Sequence, residues 1–400
     1  MAATAAGCAG AAYRHGEAMG ELTFLEFFAG GGMARAGLGS GWRCLFANDF
    51  DETKADAYAA AWNGGKRSKE LKVEDVGKLK IADLPGKQAD LAWASFPCQD
   101  LSLAGAQAGL AGERSGSFLP FYFLMRTLRE LGRGPRCIAL ENVCGLLTSH
   151  GGRDFHDICR LLSQIGYRFG ALVMDAVDFL PHSRPRLFII AVDRSLPVSP
   201  SKQPGRWHPA RLIEAYEGLR PDLKADWLWF DPPAPPARNT RLADLIEDQP
   251  PDVTWHSQEE TNRLLGMMSQ ANRAKVAKVK ALPGLSVGAI YKRTRVEGGV
   301  KFQRAEVRFD DVAGCLRTPG GGSSRQTILV VENGNVRSRL ISARETARLM
   351  GLPDEYPLPS RYNDAYHLTG DGVAVPVVRH IAEHILEPML ATSEIELVAA

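Results

Sequence analysis

The chain has 400 residues, 45% of them hydrophobic and 24% charged, the composition of an ordinary folded protein and more than one core comfortably holds, so one large domain and a smaller one are expected. No apolar run approaches the roughly 20 residues that span a bilayer, which excludes a membrane-spanning helix. The seven cysteines (Cys8, Cys44, Cys98, Cys137, Cys144, Cys159 and Cys315) are odd in number and never spaced as C-x-x-C, which excludes a disulfide framework or a zinc site and points to a reducing cytoplasm.

In chain order, residues 1–20 are rich in Ala and Gly and read as a loose tail, without the basic start and apolar block of a signal peptide. From 22 to 193, short apolar runs at 22–28, 44–47, 91–95, 137–140, 171–174 and 187–192 read as buried strands. Between them, stretches such as 118–131 and 154–165 repeat apolar residues at helical spacing. That alternation predicts an α/β fold, a Rossmann-like, mostly parallel sheet with helices on both faces.

After Asp193 the texture changes. Pro-rich segments at 196–204, 231–236 and 249–251 mark a separate, loop-rich region that ends in a Gly-rich stretch at 318–324 and a strand-like run at 327–331. Helical pattern returns near Ser342, which stands three residues before Glu345 at capping-box spacing. Charge is uneven although the net is only +2: eleven acids face four bases between Glu214 and Glu260, and eleven bases face two acids between Arg263 and Arg308. The basic block is either a footprint for phosphate backbones or half of two solvated faces packed together.

Four groups of residues carry chemistry. The first strand runs into Phe28, Ala29, Gly30, Gly31 and Gly32 before a helix-like stretch at 33–38. Such a turn lets backbone approach a ligand, but it lacks the G-x-G-x-x-G spacing of dinucleotide sites. Asp49 ends the second strand, about 20 residues after the turn, where a carboxylate can accept from a ribose diol. Asp75 and Val76 follow the next helix and could meet an adenine edge.

Cys98 follows Phe96 and Pro97 at the end of another strand, and Pro97 fixes the local backbone so that the thiol is held in one place. A single cysteine is more often an inert small hydrophobe. Here the segment 102–117, rich in Gly, Ala and Ser, suits a flap over a site. Glu141 ends the strand at 137–140, at the same sheet edge. Arg184 and Arg186 open the strand at 187–192 and, as alternate residues, share a face. Two such cations suit a carbonyl oxygen, a phosphate or a thiolate.

In this order the residues resemble the cytosine-C5 DNA methyltransferases of bacterial restriction-modification systems, over about 22–388. Phe28 to Gly32 is similar to the family's first motif. Phe96-Pro97-Cys98-Gln99, with Ser102, Ala104 and Gly105, resembles the nucleophile motif. Glu141-Asn142-Val143 resembles the acid motif, and Arg184 with Arg186 the paired arginines. Residues 339–353 and 370–376 resemble the two C-terminal motifs. The chain departs from the family pattern at Met33 (usually Gly), Asp49 (usually Glu), His182 (usually Gln) and Asp371 (usually Asn).

The resemblance implies an S-adenosylmethionine-dependent methyltransferase fold with a tail at 1–20, a catalytic and cofactor domain at 21–195, a target-recognition domain at 196–335 and a returning C-terminal segment at 336–400. It implies S-adenosylmethionine as cofactor, held by Phe28, Ala29, Gly30, Gly32, Asp49, Asp75, Val76, Pro97 and Asp371. Cys98, Glu141, Arg184 and Arg186 would be catalytic. Ser102, Arg317, Thr318, Gly320 and Gly321 would contact double-stranded DNA. A monomer working in the cytoplasm at the nucleoid is expected, with a cognate restriction endonuclease as a further candidate partner. The same chemistry on RNA, a nicotinamide-dependent oxidoreductase and a DNA-binding protein with a dead site are the competing readings.

Overall fold

The computed structural model describes residues 21–97, 117–297, 299–316 and 325–391. In chain order the first half comprises β1 (Leu22–Phe27), α1 (Met33–Leu38), β2 (Trp42–Asp49), α2 (Glu52–Trp62), β3 (Leu71–Val73), β4 (Leu91–Ala94), α3 (Phe118–Glu130), β5 (Cys137–Val143), α4 (Arg153–Gln164), β6 (Tyr167–Asp175) and β7 (Pro185–Asp193). These strands make one seven-stranded sheet in the order β3-β2-β1-β4-β5-β7-β6. Every pairing is parallel except the two made by β7. Each of these strands except the three-residue β3 coincides with an apolar run in the sequence.

The strands are apolar throughout because both faces are covered. On β5, Cys137 and Ala139 join one core, while Ile138 and Leu140 join the other with α3 and α4. On β7, Phe188, Ile190 and Val192 alternate with Leu187, Ile189 and Ala191 in the same way. This alternation puts Glu141 of β5 and Arg186 of β7 on the first of these two faces.

The second half holds α5 (Ala210–Glu217), α6 (Pro221–Ala225), α7 (Gln258–Gly266), α8 (Gln270–Lys280), β8 (Leu285–Glu297), β9 (Val300–Arg308), β10 (Thr327–Glu332), β11 (Asn335–Leu340), α9 (Ala343–Leu349), α10 (Tyr362–Asp371) and α11 (Val375–Ile381). Where mainly loops were expected, β8 to β11 form a four-stranded antiparallel sheet, β11-β10-β8-β9. Its hairpin escaped the hydrophobic pattern because β9 is exposed at Val300, Lys301, Phe302 and Gln303 and turns inward only near Ala305.

The C-terminal segment packs back on the first sheet. Trp42 Nε1 donates to Glu387 at 2.8 Å and Arg136 to the Leu390 carbonyl at 3.2 Å. Helix α11 lies so close to α1 that a side chain at Gly37 would collide with Val378. Carboxylates of the acidic stretch pair outside the basic block: Asp222 with Arg220, Glu217 with Lys224, Asp244 with Arg241 and Asp248 with Arg337.

Candidate active site

Strand order reverses between β1 and β4, and open α/β sheets bind ligands at the carboxyl ends beside such a reversal. There β1 runs into Phe28 (φ 57°), Gly30 (φ 54°) and Gly32 (φ 79°), a left-handed turn unusual for a phenylalanine. At Gly32 a Cβ would run into Trp62, so glycine is required twice over. The Gly31 carbonyl accepts from Tyr356 Oη at 2.6 Å and Trp62 Nε1 at 2.9 Å. A Cβ on Gly30, by contrast, would meet nothing within 4 Å among the described residues, so this part of the turn, beside Ala29, is open with respect to them. Met33 is buried against Gly372, where any larger residue would collide with its sulfur.

Asp49 is buried and braces this turn: its Oδ2 accepts from the Gly30 N–H at 2.8 Å and its Oδ1 from the Asp51 N–H at 2.9 Å. Burial holds its carboxyl above the ordinary value, against the pull of those donors and of Lys54. Lys54 pairs with Asp371 at 2.8 Å, which ties α2 to the end of α10. Burial disfavours that ammonium, but Asp371, Asp49 and Asp51 outweigh it and raise its pKa. Asp75 caps the turn after β3, accepting from Gly77 N–H at 2.7 Å, and Val76 is buried behind it. Phe50, which the sequence reading passed over, is 69% exposed between Asp49 and Asp51 and offers a bare aromatic face at this edge.

On the far side of the reversal, β4 ends and Ser95 N–H still reaches the Phe27 carbonyl at 3.4 Å. Phe96 is buried, and its carbonyl accepts from Asn142 Nδ2 at 3.0 Å. Asn142 thereby fixes the backbone that enters Pro97, which is exposed. Its neighbour Glu141 is buried, with Oε1 3.1 Å from Arg186 Nε.

Arg184 stands one step back. It is buried, and its Nη2 donates to the Gly370 and Gly372 carbonyls at 2.8 and 2.7 Å. Burial and the charge of Arg186 push its pKa down to about 10. Both guanidinium groups also approach Cys315 Sγ, at 3.6 Å from Arg184 and 4.0 Å from Arg186.

His182 explains how the second sheet is fastened to this edge. Fully buried, it accepts from the Leu316 N–H through Nε2 at 3.3 Å and contacts the Leu349 carbonyl through Nδ1 at 3.0 Å. That pattern assigns the neutral ring with its proton on Nδ1. Burial and the two arginines lower its pKa to about 3. Only its place two residues before Arg184 could have singled it out in the sequence. Cys98, Ser102, Arg317, Thr318, Gly320 and Gly321 lie outside the described residues; Leu316, which precedes the last four, is held by His182, and the Gln326 N–H beyond them donates to Tyr366 Oη at 2.9 Å.

The family model for C-5 cytosine-specific DNA methylases matches residues 22–387. The chain belongs to this family. The methylase is 27% identical over 372 residues to the Type II methyltransferase M.BsuFI of Bacillus subtilis, covering 92% of this chain and 74% of that protein. To M.HhaI of Haemophilus parahaemolyticus it is 26% identical over 366 residues, covering 91% and 94%. Among solved structures, S. pombe Dnmt2 methyltransferase matches with a TM-score of 0.54 at 17% identity, over 92% of this chain and 99% of that one. The Entamoeba histolytica methyltransferase EhMeth matches with a TM-score of 0.55 at 14% identity over the same shares. The methylase is therefore a DNA cytosine-5-methyltransferase on a mostly parallel α/β sheet, and the nicotinamide oxidoreductase reading is set aside. Among the described residues no helix is long and apolar enough to cross a membrane.

Proposed function

We propose that the methylase modifies a cytosine flipped out of a specific duplex sequence, with Cys98 as nucleophile, Glu141 and Arg186 on the base, and S-adenosylmethionine as methyl donor. The observation that carries this is the Glu141–Arg186 pair, an acid and a cation 3.1 Å apart at the carboxyl ends of β5 and β7, one strand from the Pro97 that precedes Cys98. Unmodified, carbon 5 of cytosine is a poor nucleophile. When Cys98 Sγ bonds to carbon 6, the C5–C6 π electrons move onto carbon 5 and turn the ring into an enamine. Glu141 shares a proton with ring nitrogen 3 and so limits the charge that builds there. Arg186 donates to the carbonyl oxygen at carbon 2 and holds the base in register. Once carbon 5 carries its new substituent, loss of the carbon-5 proton restores the double bond and expels the thiolate.

The edge fits the cofactor: the turn is open at Gly30, Phe50 presents an exposed ring, and carboxylates stand on neighbouring strand ends. Phe28, Ala29, Gly30 and Gly32 would pass the backbone along it, with Asp49 beside the ribose, Asp75 and Val76 beside the adenine, and Pro97 and Asp371 closing the methionine end. S-adenosylmethionine, when bound, supplies an electrophilic methyl group from its sulfonium. Arg184 is a positioning residue that holds the 370–372 turn in place. The division into a catalytic part at 21–195, a recognition part at 196–335 and a returning segment at 336–400 belongs to the same proposal, as do DNA contacts from Ser102, Arg317, Thr318, Gly320 and Gly321. The Type II relatives favour a partner restriction endonuclease of the same specificity.

The test is incubation of the full chain with S-adenosylmethionine and unmethylated genomic DNA, followed by mapping of 5-methylcytosine, with Cys98→Ser and a matched RNA in parallel. Methylation of DNA at one recurrent sequence, lost in the variant, is expected. Residual turnover of Cys98→Ser near the parent rate sinks the nucleophile assignment, and preference for RNA sinks the duplex reading.

A further inference from the structure

Beyond Ile290, β8 leaves its neighbour β10, which pairs with it only from Leu285 to Ile290. Residues 291–297 then pair with 300–306, β9 is the edge of the sheet, and at the root Ala305 N–H donates to the Met267 carbonyl at 3.1 Å. Beyond Ala305 the hairpin projects as a two-stranded ribbon of five paired positions, roughly 17 Å long at the usual rise of a strand. The ribbon is basic, and apolar residues lie exposed toward its end: Val296, Val300 and Phe302 are 66%, 55% and 41% exposed. Arg293, Arg295 and Lys301 are exposed beside them.

Its two faces differ. Arg293 opposite Arg304 and Arg295 opposite Phe302 continue the face of Tyr291. The Tyr291 ring packs so tightly on Gly314 that a side chain there would collide with it, one residue before Cys315 and the paired arginines. This face thus runs outward from the catalytic edge. Glu306 accepts from Arg295 and lies 3.5 Å from Arg293, which holds both guanidinium groups ready in one plane of the ribbon.

At the ribbon's root a cleft of about 330 Å³ is lined by Lys275, Arg293 and Arg308, with Asn272, Tyr291 and Glu306. Lys275 Nζ uses two of its three donors, on the Val307 carbonyl at 3.2 Å and on Asn272 Oδ1 at 3.1 Å. Arg308 is paired with Asp310 and Arg293 with Glu306, so the lysine, with one donor left for a ligand among the described residues, is the cation that favours an anion there.

We propose that this ribbon lies in the major groove of the duplex beside the target cytosine, with a backbone phosphate seated in the cleft at its root. The inference rests on the duplex-DNA reading above. A major groove about 12 Å wide accepts a two-stranded ribbon. Arg293 and Arg295 can each pair with a guanine edge, and Phe302 and Val300, exposed on the same face, suit the thymine methyl. The cleft supplies position without sequence information, and the ribbon supplies the sequence.

The test uses the full chain on the genomic DNA in which 5-methylcytosine is mapped. Lys275→Gln is expected to weaken binding and to reduce the slope of log affinity against log salt by about one. Lys275→Arg should restore the slope, which a merely structural lysine would not require. Arg293→Gln with Arg295→Gln is expected to relax the methylation map by on the order of tenfold at one or two base positions. A parent enzyme that methylates duplex DNA while Lys275→Gln keeps its salt slope, or the double arginine variant keeps its map, overturns the proposal alone. A parent enzyme that neither binds nor methylates the duplex overturns the underlying reading as well.

Discussion

Arg184 and Arg186 are two residues apart at the start of β7, yet their partners differ. Arg186 faces Glu141, while Arg184 is locked onto two backbone carbonyls. Arg186→Ala should therefore lower kcat by on the order of 100-fold with little change in Tm, measured by steady-state methyl transfer and thermal melting. Arg184→Ala should instead lower stability by about 3 kcal/mol, since it abandons two charge-assisted hydrogen bonds in a buried place, as a denaturant titration would read. Two buried titratable groups add a pH dependence. Glu26, its carboxyl pushed up to about 8 by burial, is protonated in the fold and ionised in the unfolded chain between its ordinary value of 4.5 and that point. Its contribution to stability is thus complete below 4.5 and is lost as pH rises towards 8. Glu26→Gln should gain Tm relative to the parent on going from the acid to the alkaline end of that window. His182 works from the other side. Its folded pKa is depressed from 6.5 to about 3, so its contribution is complete above 6.5 and shrinks as pH falls through that interval.

At the level of elements, α9 joins a signal that is local to one that is not. Ser342 and Glu345 form the capping box that their spacing predicts: Ser342 Oγ accepts from Glu345 N–H at 3.1 Å and Glu345 Oε2 from Ser342 N–H at 2.7 Å. The spacing says nothing of Arg339, whose guanidinium donates to both oxygens of Glu345 at 2.8 and 2.6 Å with both side chains fully buried. Replacing one partner leaves the other charge uncompensated in the interior. Glu345→Ala should cost about 3–5 kcal/mol, well beyond the roughly 1 kcal/mol of a lost cap, and the midpoint of chemical unfolding distinguishes the two figures. Arg339 also stacks 4.8 Å from the Trp255 ring, which Arg337 covers from 4.2 Å, so the irregular stretch before α7 is fastened to β11 by the same residues.

Across the whole molecule, the cofactor edge is finished by chain that arrives more than 300 positions later. Tyr356 reaches Gly31, Asp371 reaches Lys54, and Gly372 makes room for Met33. Helix α11 anchors this return by lying against Gly37 of α1. Gly37→Val should force the two helices apart, lowering Tm and also weakening S-adenosylmethionine binding in equilibrium dialysis, because the displaced segment carries the groups beside the glycine turn. A loss of stability with unchanged cofactor affinity would mean that the return segment only covers the core.

The alternation of apolar runs was enough for the seven-stranded sheet, because strands buried on both faces must be apolar along their length and amphipathic helices must cover them. Phe28 to Gly32, Asp49, Pro97, Glu141 and Arg186 do stand at turns or strand ends, as their flanking apolar runs imply, because such positions are set by nearby residues. What the sequence could not hold was partnership over distance. That Asp49 braces Gly30, that His182 ties Leu316 to Leu349, that Asn142 fixes Phe96 and that Arg184 serves the C-terminal turn were decided by folding alone. Hydrogen bonds between residues tens to hundreds of positions apart leave no periodicity to read. The basic ribbon hid for a related reason: its pairs lie across strands, and a face exposed to solvent need not alternate.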